Sequence, residues 1–156
     1  MLNLVKSFFG VPTPSGPTEP LAEFKPGTDQ PLDGAAKVDD AAWKLTVDGA
    51  RSVPLFKFPV PDETEGCRLH YRMQLKTELQ SGFAYLEMWC NLPGMGKFFS
   101  KGLHDKISGT TDWTDHEVPF LLKKGQRPDE LDLNLYVEGK GTVWIRSISV
   151  LKTPLA

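Results

Sequence analysis

Three features of the 156-residue chain predict an all-β fold, a jelly-roll β-sandwich of about eight antiparallel strands with an irregular proline-rich amino-terminal arm. Two segments alternate apolar and polar residues with strict period 2, the signature of a strand with one face in a core and one in water. Short runs rich in β-branched and aromatic residues recur from Ala41 onward, separated by turn-forming residues. No convincing amphipathic helix competes, and no repeat at fixed spacing suggests a propeller or solenoid.

The elements follow in order. Residues 1 to 40 hold six of the thirteen prolines (Pro12, Pro14, Pro17, Pro20, Pro26 and Pro31) and four glycines, with few large apolar residues between them. Proline fixes φ and removes an amide donor, so this stretch builds neither helix nor core. It reads as an extended arm, with the sandwich domain spanning 41 to 156, and Phe8, Phe9 and Phe24 are candidates to pin it to the body. Strands are expected at 42 to 47, 53 to 60, 67 to 75, 83 to 91, 97 to 100, 116 to 122, 131 to 138 and 142 to 151. Turn chemistry separates them at Asp48-Gly49, Pro61-Asp62, Ser81-Gly82, Pro93-Gly94, Gly109, Gly125 and Gly139-Lys140-Gly141. The clearest alternation is Cys67, Leu69, Tyr71, Met73 and Leu75 against Arg68, His70, Arg72 and Gln74. Leu131, Leu133, Leu135 and Val137 alternate equally cleanly with Asp132, Asn134, Tyr136 and Glu138.

Charge and motif content narrow the function. Eighteen Lys and Arg against twenty Asp and Glu give a formal net charge of −2, so no broad field recruits nucleic acid or anionic lipid. The first ten residues lack the apolar run of a signal peptide and no later stretch could span a bilayer, so a cytoplasmic location is the expectation. Cys67 and Cys90 are too few for a disulfide framework or zinc site, and their phase places them in the core as small apolar residues. His70, His104 and His116 fall in separate segments without metal-binding spacing; surface or turn positions are expected, with no metal or cofactor. Gly94-Met95-Gly96-Lys97 lacks the earlier glycine of a phosphate loop and reads as a tight turn. No Gly-x-Ser-x-Gly elbow is present. Asp112, Asp115 and Glu117 surround Trp113, a pairing that can in principle serve glycoside hydrolysis, but Thr110-Thr111-Asp112 reads better as a turn that hydrogen-bonds its own backbone. Lys123-Lys124 with Arg127 reads as a solvated basic turn.

The candidate binding residues lie on two strands. Between Phe83 and Asn91, Ala84, Leu86, Met88 and Cys90 form one face, and Phe83, Tyr85, Glu87 and Trp89 the other. A solvent-facing strand surface ordinarily carries Lys, Thr or Ser, whereas this one offers aromatic plates with a carboxylate between them. A pyranose has apolar C–H faces that stack on rings and equatorial hydroxyls that seek Asp, Glu or Asn, so a saccharide needs both types on one rigid surface. Asp132, Asn134, Tyr136 and Glu138 supply the same mixture, and six candidates, Tyr85, Glu87, Trp89, Asp132, Asn134 and Tyr136, converge if the two strands are neighbours. The competing reading is that the arm or a protein partner buries this face. Trp43 and Trp144 are expected to be packing residues.

Ile107-Ser-Gly-Thr-Thr-Asp-Trp113 through Glu117-Val118-Pro119-Phe120, then Leu131 to Leu135 and Glu138-Gly-Lys-Gly-Thr-Val-Trp-Ile-Arg146, resemble the galactose-binding-like jelly-roll family. In that family a "GTTDW" turn precedes a strand, a loop, an alternating strand and a final "GxGxVWxDD" strand. The chain is also similar to uncharacterised bacterial proteins carrying such a domain. The resemblance covers about the last fifty residues and implies a β-sandwich and a non-catalytic carbohydrate-binding module rather than an enzyme, with a protein-interaction or structural module as the alternative. Where the family's last strand often carries Asp-Asp, the first commonly holding a structural calcium, this chain has Arg146 and Ser147. A guanidinium repels Ca²⁺, which requires oxygen donors, so no calcium is expected there.

Overall fold

The computed structural model describes residues 12–156 as eight strands. They are β1 (Glu19–Phe24), β2 (Lys37–Asp39), β3 (Ala42–Asp48), β4 (Arg51–Pro59), β5 (Cys67–Leu92), β6 (Gly96–Lys101), β7 (Thr110–Leu122) and β8 (Glu130–Pro154). The frame is a ribbon of the two longest, β5 with 26 residues and β8 with 25, antiparallel from Cys67 opposite Pro154 to Asn91 opposite Glu130. Different strands flank its two halves. The Ala84-to-Asn91 half carries β6 on one side and β4 on the other; the Cys67-to-Glu78 half carries β7, and beyond β8 come β3 with β2, and β1. Buried side chains of both halves, Leu69, Tyr71 and Leu75 from one and Leu86, Met88 and Leu133 from the other, belong to one core cluster, so the bent ribbon packs its two apolar faces together.

The ribbon overturns two expected turns. Ser81-Gly82 and Gly139-Lys140-Gly141 are bends inside single strands, so the segments expected at 67 to 75 and 83 to 91 are one strand, as are 131 to 138 and 142 to 151. The bends are β-bulges, which insert one unpaired residue and shift the period-2 phase. In β5 the core positions run Leu69, Tyr71, Met73 and Leu75, then pass a register shift between Leu79 and Ser81 and continue as Ala84, Leu86, Met88 and Cys90. In β8 the register shift opposite Arg72 and Gln74 carries the core phase from Ile145 to Ile148 past Ser147, whose φ of 57° is left-handed. The opposition of Gly82 (φ 80°) and Gly139 (φ 107°) lets the two backbones pass closely enough to turn the ribbon over.

The amino-terminal stretch is more ordered than its proline content suggests. Glu19 to Phe24 pairs with Ile148 to Lys152 of β8, and the Phe24 ring stacks on Phe56 at 4.2 Å, the pinning expected of it. Pro20 sits on this strand at a register irregularity, where a missing amide is tolerated. Phe8 and Phe9 lie outside the described residues. The eight strands therefore arise from two mergers and from two segments, β1 and β2, contributed by the stretch read as arm. The Pro93-Gly94-Met95 segment is the expected turn, joining β5 to β6.

Trp43 is a core residue, fully buried against Phe56. His70 and His116 are not surface residues: they are 9% and 7% exposed, with Nε2 bonded to Thr153 Oγ1 at 2.9 Å and to Thr114 Oγ1 at 2.7 Å. His70, out of phase with the core side of its strand, is covered because Thr153 of β8, which also bonds Thr18, lies against its Nε2. Cys67 and Cys90 are both buried free thiols. Burial pushes both upward, and Cys90 reaches about 12 with help from the nearby Asp129 charge. The thiolate is the reactive form. Native protein is therefore expected to resist a thiol-specific disulfide reagent at neutral pH and to release both thiols only in denaturant; rapid labelling of either in native buffer would contradict this burial.

Candidate functional site

The six candidate residues share one face. In register across the ribbon, Tyr85 lies opposite Tyr136, Glu87 opposite Asn134 and Trp89 opposite Asp132. Flanking strands widen the surface, with β6 placing Lys101 beside Glu87 and Phe99 beside Trp89, and β4 placing Ser52 beside Tyr136 and Lys57 beside Asp132. Residues with period 2 on paired strands must fall on the same side, which is why alternation alone located them.

An aromatic cluster stands at each end. Tyr85 and Tyr136 stack with centroids 4.8 Å apart at 23°, and Phe83 lies 6.1 Å from Tyr85 and 6.3 Å from Tyr136. At the far end Trp89 meets Phe99 edge-on at 5.3 Å and 63°. Tyr85 is only 6% exposed; burial raises its phenol above the ordinary value, with the Glu87 and Glu138 charges adding to the effect. Tyr136 donates its hydroxyl to Glu138 Oε1 at 2.9 Å, which chiefly raises its own phenol. Phe83, Trp89 and Tyr136 are half-buried, leaving part of each ring accessible.

Glu87 organises the middle. Strand phase places it outward, yet it is 3% exposed because Ser52, Asn134, Trp89 and Lys101 crowd around it. Its Oε1 accepts hydrogen bonds from Ser52 Oγ at 2.9 Å, Asn134 Nδ2 at 3.1 Å and Trp89 Nε1 at 3.3 Å, and Lys101 Nζ lies 3.8 Å from Oε2. A carboxylate removed from water is tolerated only with such partners. Below it, the fully buried Tyr71 donates its hydroxyl to the Asn134 carbonyl at 3.1 Å, and burial holds that phenol well above its ordinary value. Asp132 is clasped by Lys97 at 2.8 Å and Lys57 at 3.7 Å, and the Lys97 hydrogen bond raises that ammonium.

Ser52, Phe99, Lys97 and Lys101 were not legible as site residues, because pairing of β4 with β8 and β6 with β5 cannot be read from one strand's periodicity. The only trace is Lys97-Phe98-Phe99-Ser100-Lys101, an aromatic pair framed by cations on a short edge strand. The hydrogen bonds of the described amino-terminal residues go elsewhere, Ser15 to Pro154 and Leu32 and Asp33 to β4 carbonyls. Thr110 to Asp112, expected as a turn, instead opens β7 by pairing with β5; the Asp112 carboxylate accepts from the Trp113 amide at 2.8 Å, and Glu117 is held by Arg72.

No family model matches the chain, and no curated protein is detectably similar in sequence. Solved structures share its architecture. The family 22 carbohydrate-binding module at the C-terminus of Xyn10B from Clostridium thermocellum superposes with a TM-score of 0.53 at 6% identity, over 86% of this chain and 88% of that one. The fold is that of the β-sandwich carbohydrate-binding modules. Unliganded BiXyn10A CBM1 superposes with a TM-score of 0.51 at 14% identity, over 85% of this chain and 97% of that one. A xylan-binding domain of the same family 22 gives 0.51 at 6%, over 88% and 94%. The jelly-roll architecture expected from the alternation and the carboxy-terminal resemblance is thus shared with these modules.

Proposed function

We propose that the chain is a non-catalytic carbohydrate-binding module whose ligand lies across the β4-β8-β5-β6 face. One observation carries this reading: two aromatic clusters stand on one face at either side of a buried carboxylate whose hydrogen bonds fix the indole of Trp89 and the amide of Asn134. Trp89 and Tyr136 form the plates, and Tyr85, expected as a third, is buried and instead supports Tyr136 by stacking on it; Asn134 and Asp132 address hydroxyls; Glu87 holds Trp89 and Asn134 in place rather than standing free. Fixed plates lower the ordering cost of binding, which matters on a shallow surface that leaves much of the ligand in water. The fold relatives, carbohydrate-binding modules and a xylan-binding domain, support a saccharide. Binding without cleavage is supported by the engagement of Glu87 with its donors and by the structural roles of Asp112 and Glu117.

The test is a panel of soluble polysaccharides and oligosaccharides on the intact protein, with Trp89→Ala and Tyr136→Ala variants first shown to melt cooperatively. Dissociation constants in the millimolar to micromolar range, roughly −4 to −8 kcal/mol, are expected for the parent. Each variant should bind about tenfold more weakly, the loss of one stacking contact. A panel without a hit would overturn the saccharide reading and leave a protein partner as the occupant of this face.

A further inference from the structure

The opposite sheet carries a second set of rings and charges, arranged differently. Trp144, expected to pack inward, points outward from β8 and is half-buried, with Lys44 of β3 and Lys76 of β5 as its register neighbours on either side. Their ammonium groups lie 5.9 Å and 5.4 Å from its ring centroid. Beyond Lys76, β7 supplies Trp113 at the register shift between Thr114 and Thr111, and the Arg146 guanidinium lies over that ring at 4.0 Å. Gln74 fixes the guanidinium by accepting from Arg146 Nε at 2.8 Å. Cations and tryptophans therefore alternate across four adjacent strands, and with strands about 4.8 Å apart the two indoles stand about 10 Å from each other with Lys76 between them.

Charge pairing separates this row from the first face. There, Lys57, Lys97 and Lys101 all meet carboxylates. Here, among the described residues, Lys44, Lys76 and Arg146 take part in no ion pair. Of the neighbouring acids, Glu117 is committed to Arg72 and Asp115 to the Gln74 amide at 3.0 Å, while Asp39 borders the row itself and accepts from the Trp144 indole at 3.5 Å. Three cations thus rest on ring faces, a weak placement at an exposed site, of order 0.5–1 kcal/mol. A ligand carboxylate would hold them more strongly.

We propose that this row is a second binding site, for an acidic polysaccharide built of uronate units. A uronate ring has an apolar face for an indole and one carboxylate per unit for the cation beside it, matching the alternation of plate and charge. A nucleic acid fits less well, because its closely spaced phosphates need a continuous basic stripe and the chain carries a net charge of −2.

Affinity electrophoresis of the full chain through gels containing polygalacturonate tests the site, with neutral xylan as comparator and a single-stranded oligodeoxynucleotide as competitor. Four proteins are run: the parent, Trp144→Ala, the double variant Lys44→Gln/Lys76→Gln, and Trp89→Ala. Polygalacturonate is expected to retard the parent in a salt-sensitive manner. Trp144→Ala and the lysine double variant should each bind about tenfold more weakly, while Trp89→Ala on the other face should bind as the parent does. The lysine variant keeps the aliphatic stems and removes only surface charge, so it stays informative if Trp144→Ala fails to fold. Absence of retardation at low salt would overturn the proposal, as would retardation that survives the lysine changes, retardation abolished by Trp89→Ala, or displacement by the oligonucleotide through the same residues.

Discussion

A Gly139→Ala chain is expected to be less stable than the parent by about 4 kcal/mol, the sum of backbone strain and steric overlap, each of order 1–3 kcal/mol. Gly139 has a φ of 107°, a conformation that side chains disfavour, and a Cβ there would sit 2.1 Å from the Ser81 carbonyl oxygen and 2.7 Å from Gly82 Cα. Those atoms are backbone and cannot rotate away. Gly49 separates the two contributions. It has the same φ of 107°, yet nothing lies within 4 Å of its Cβ position, so Gly49→Ala should show only the conformational cost, about 1–2 kcal/mol. Urea unfolding of both variants checks this. Equal losses would mean that close approach of the strands at the bend contributes nothing. Against a typical total of about 5–15 kcal/mol, the Gly139 loss is large enough to populate unfolded chain at physiological temperature. Because the bend turns one half of the ribbon against the other, partial opening would also dissolve the core beneath Glu87.

The way the bend is encoded shows which parts of this molecule can be read from its chain. Leu69, Tyr71, Met73, Leu86, Met88, Leu133 and Leu135 are buried as their alternation requires, and alternation also put Tyr85, Trp89, Asp132, Asn134 and Tyr136 on one face. Alternation is local, and a bulge breaks it: glycines at 82, 139 and 141 carry the chemistry of a turn, yet the strands continue through them because β5 and β8 stay paired with each other across the bend. Lateral coverage is equally invisible. Glu87 and His70 are out of phase with the core and buried nonetheless, closed over by residues far away in sequence such as Ser52 and Thr153. Trp144 follows its phase instead: it alternates with the buried Val143 and Ile145, so this large ring faces outward and is half-buried beside two lysines. Burial follows from a strand's phase only where its neighbours are known, and one sequence does not specify the neighbours of β4 and β6.

Glu87→Ala is expected to lower saccharide affinity at least tenfold although Glu87 scarcely reaches the surface, and to cost about 3 kcal/mol of stability, the range for stranding buried hydrogen-bond partners of a charged group. Removing the carboxylate leaves the Trp89 indole N–H and the Asn134 amide without their acceptor, and leaves the Lys101 ammonium beside a gap and two aromatic rings. Trp89 then loses the contact that sets its tilt against Phe99, so the plate loosens where the ligand needs it fixed. Glu87→Gln separates position from charge. The amide retains an oxygen for Ser52, Asn134 and Trp89, but turns an N–H₂ toward Lys101 in place of Oε2. It should therefore recover most of the binding while remaining less stable than the parent, since one donor now faces another. Calorimetric titration with the best ligand of the panel, alongside urea unfolding, reads affinity and stability separately. If Glu87→Ala folds and binds as the parent does, the carboxylate is a packing feature and the plates hold themselves. If Glu87→Gln binds no better than Glu87→Ala, the negative charge acts on the ligand or on Lys101, and Glu87 is more than a positioning residue.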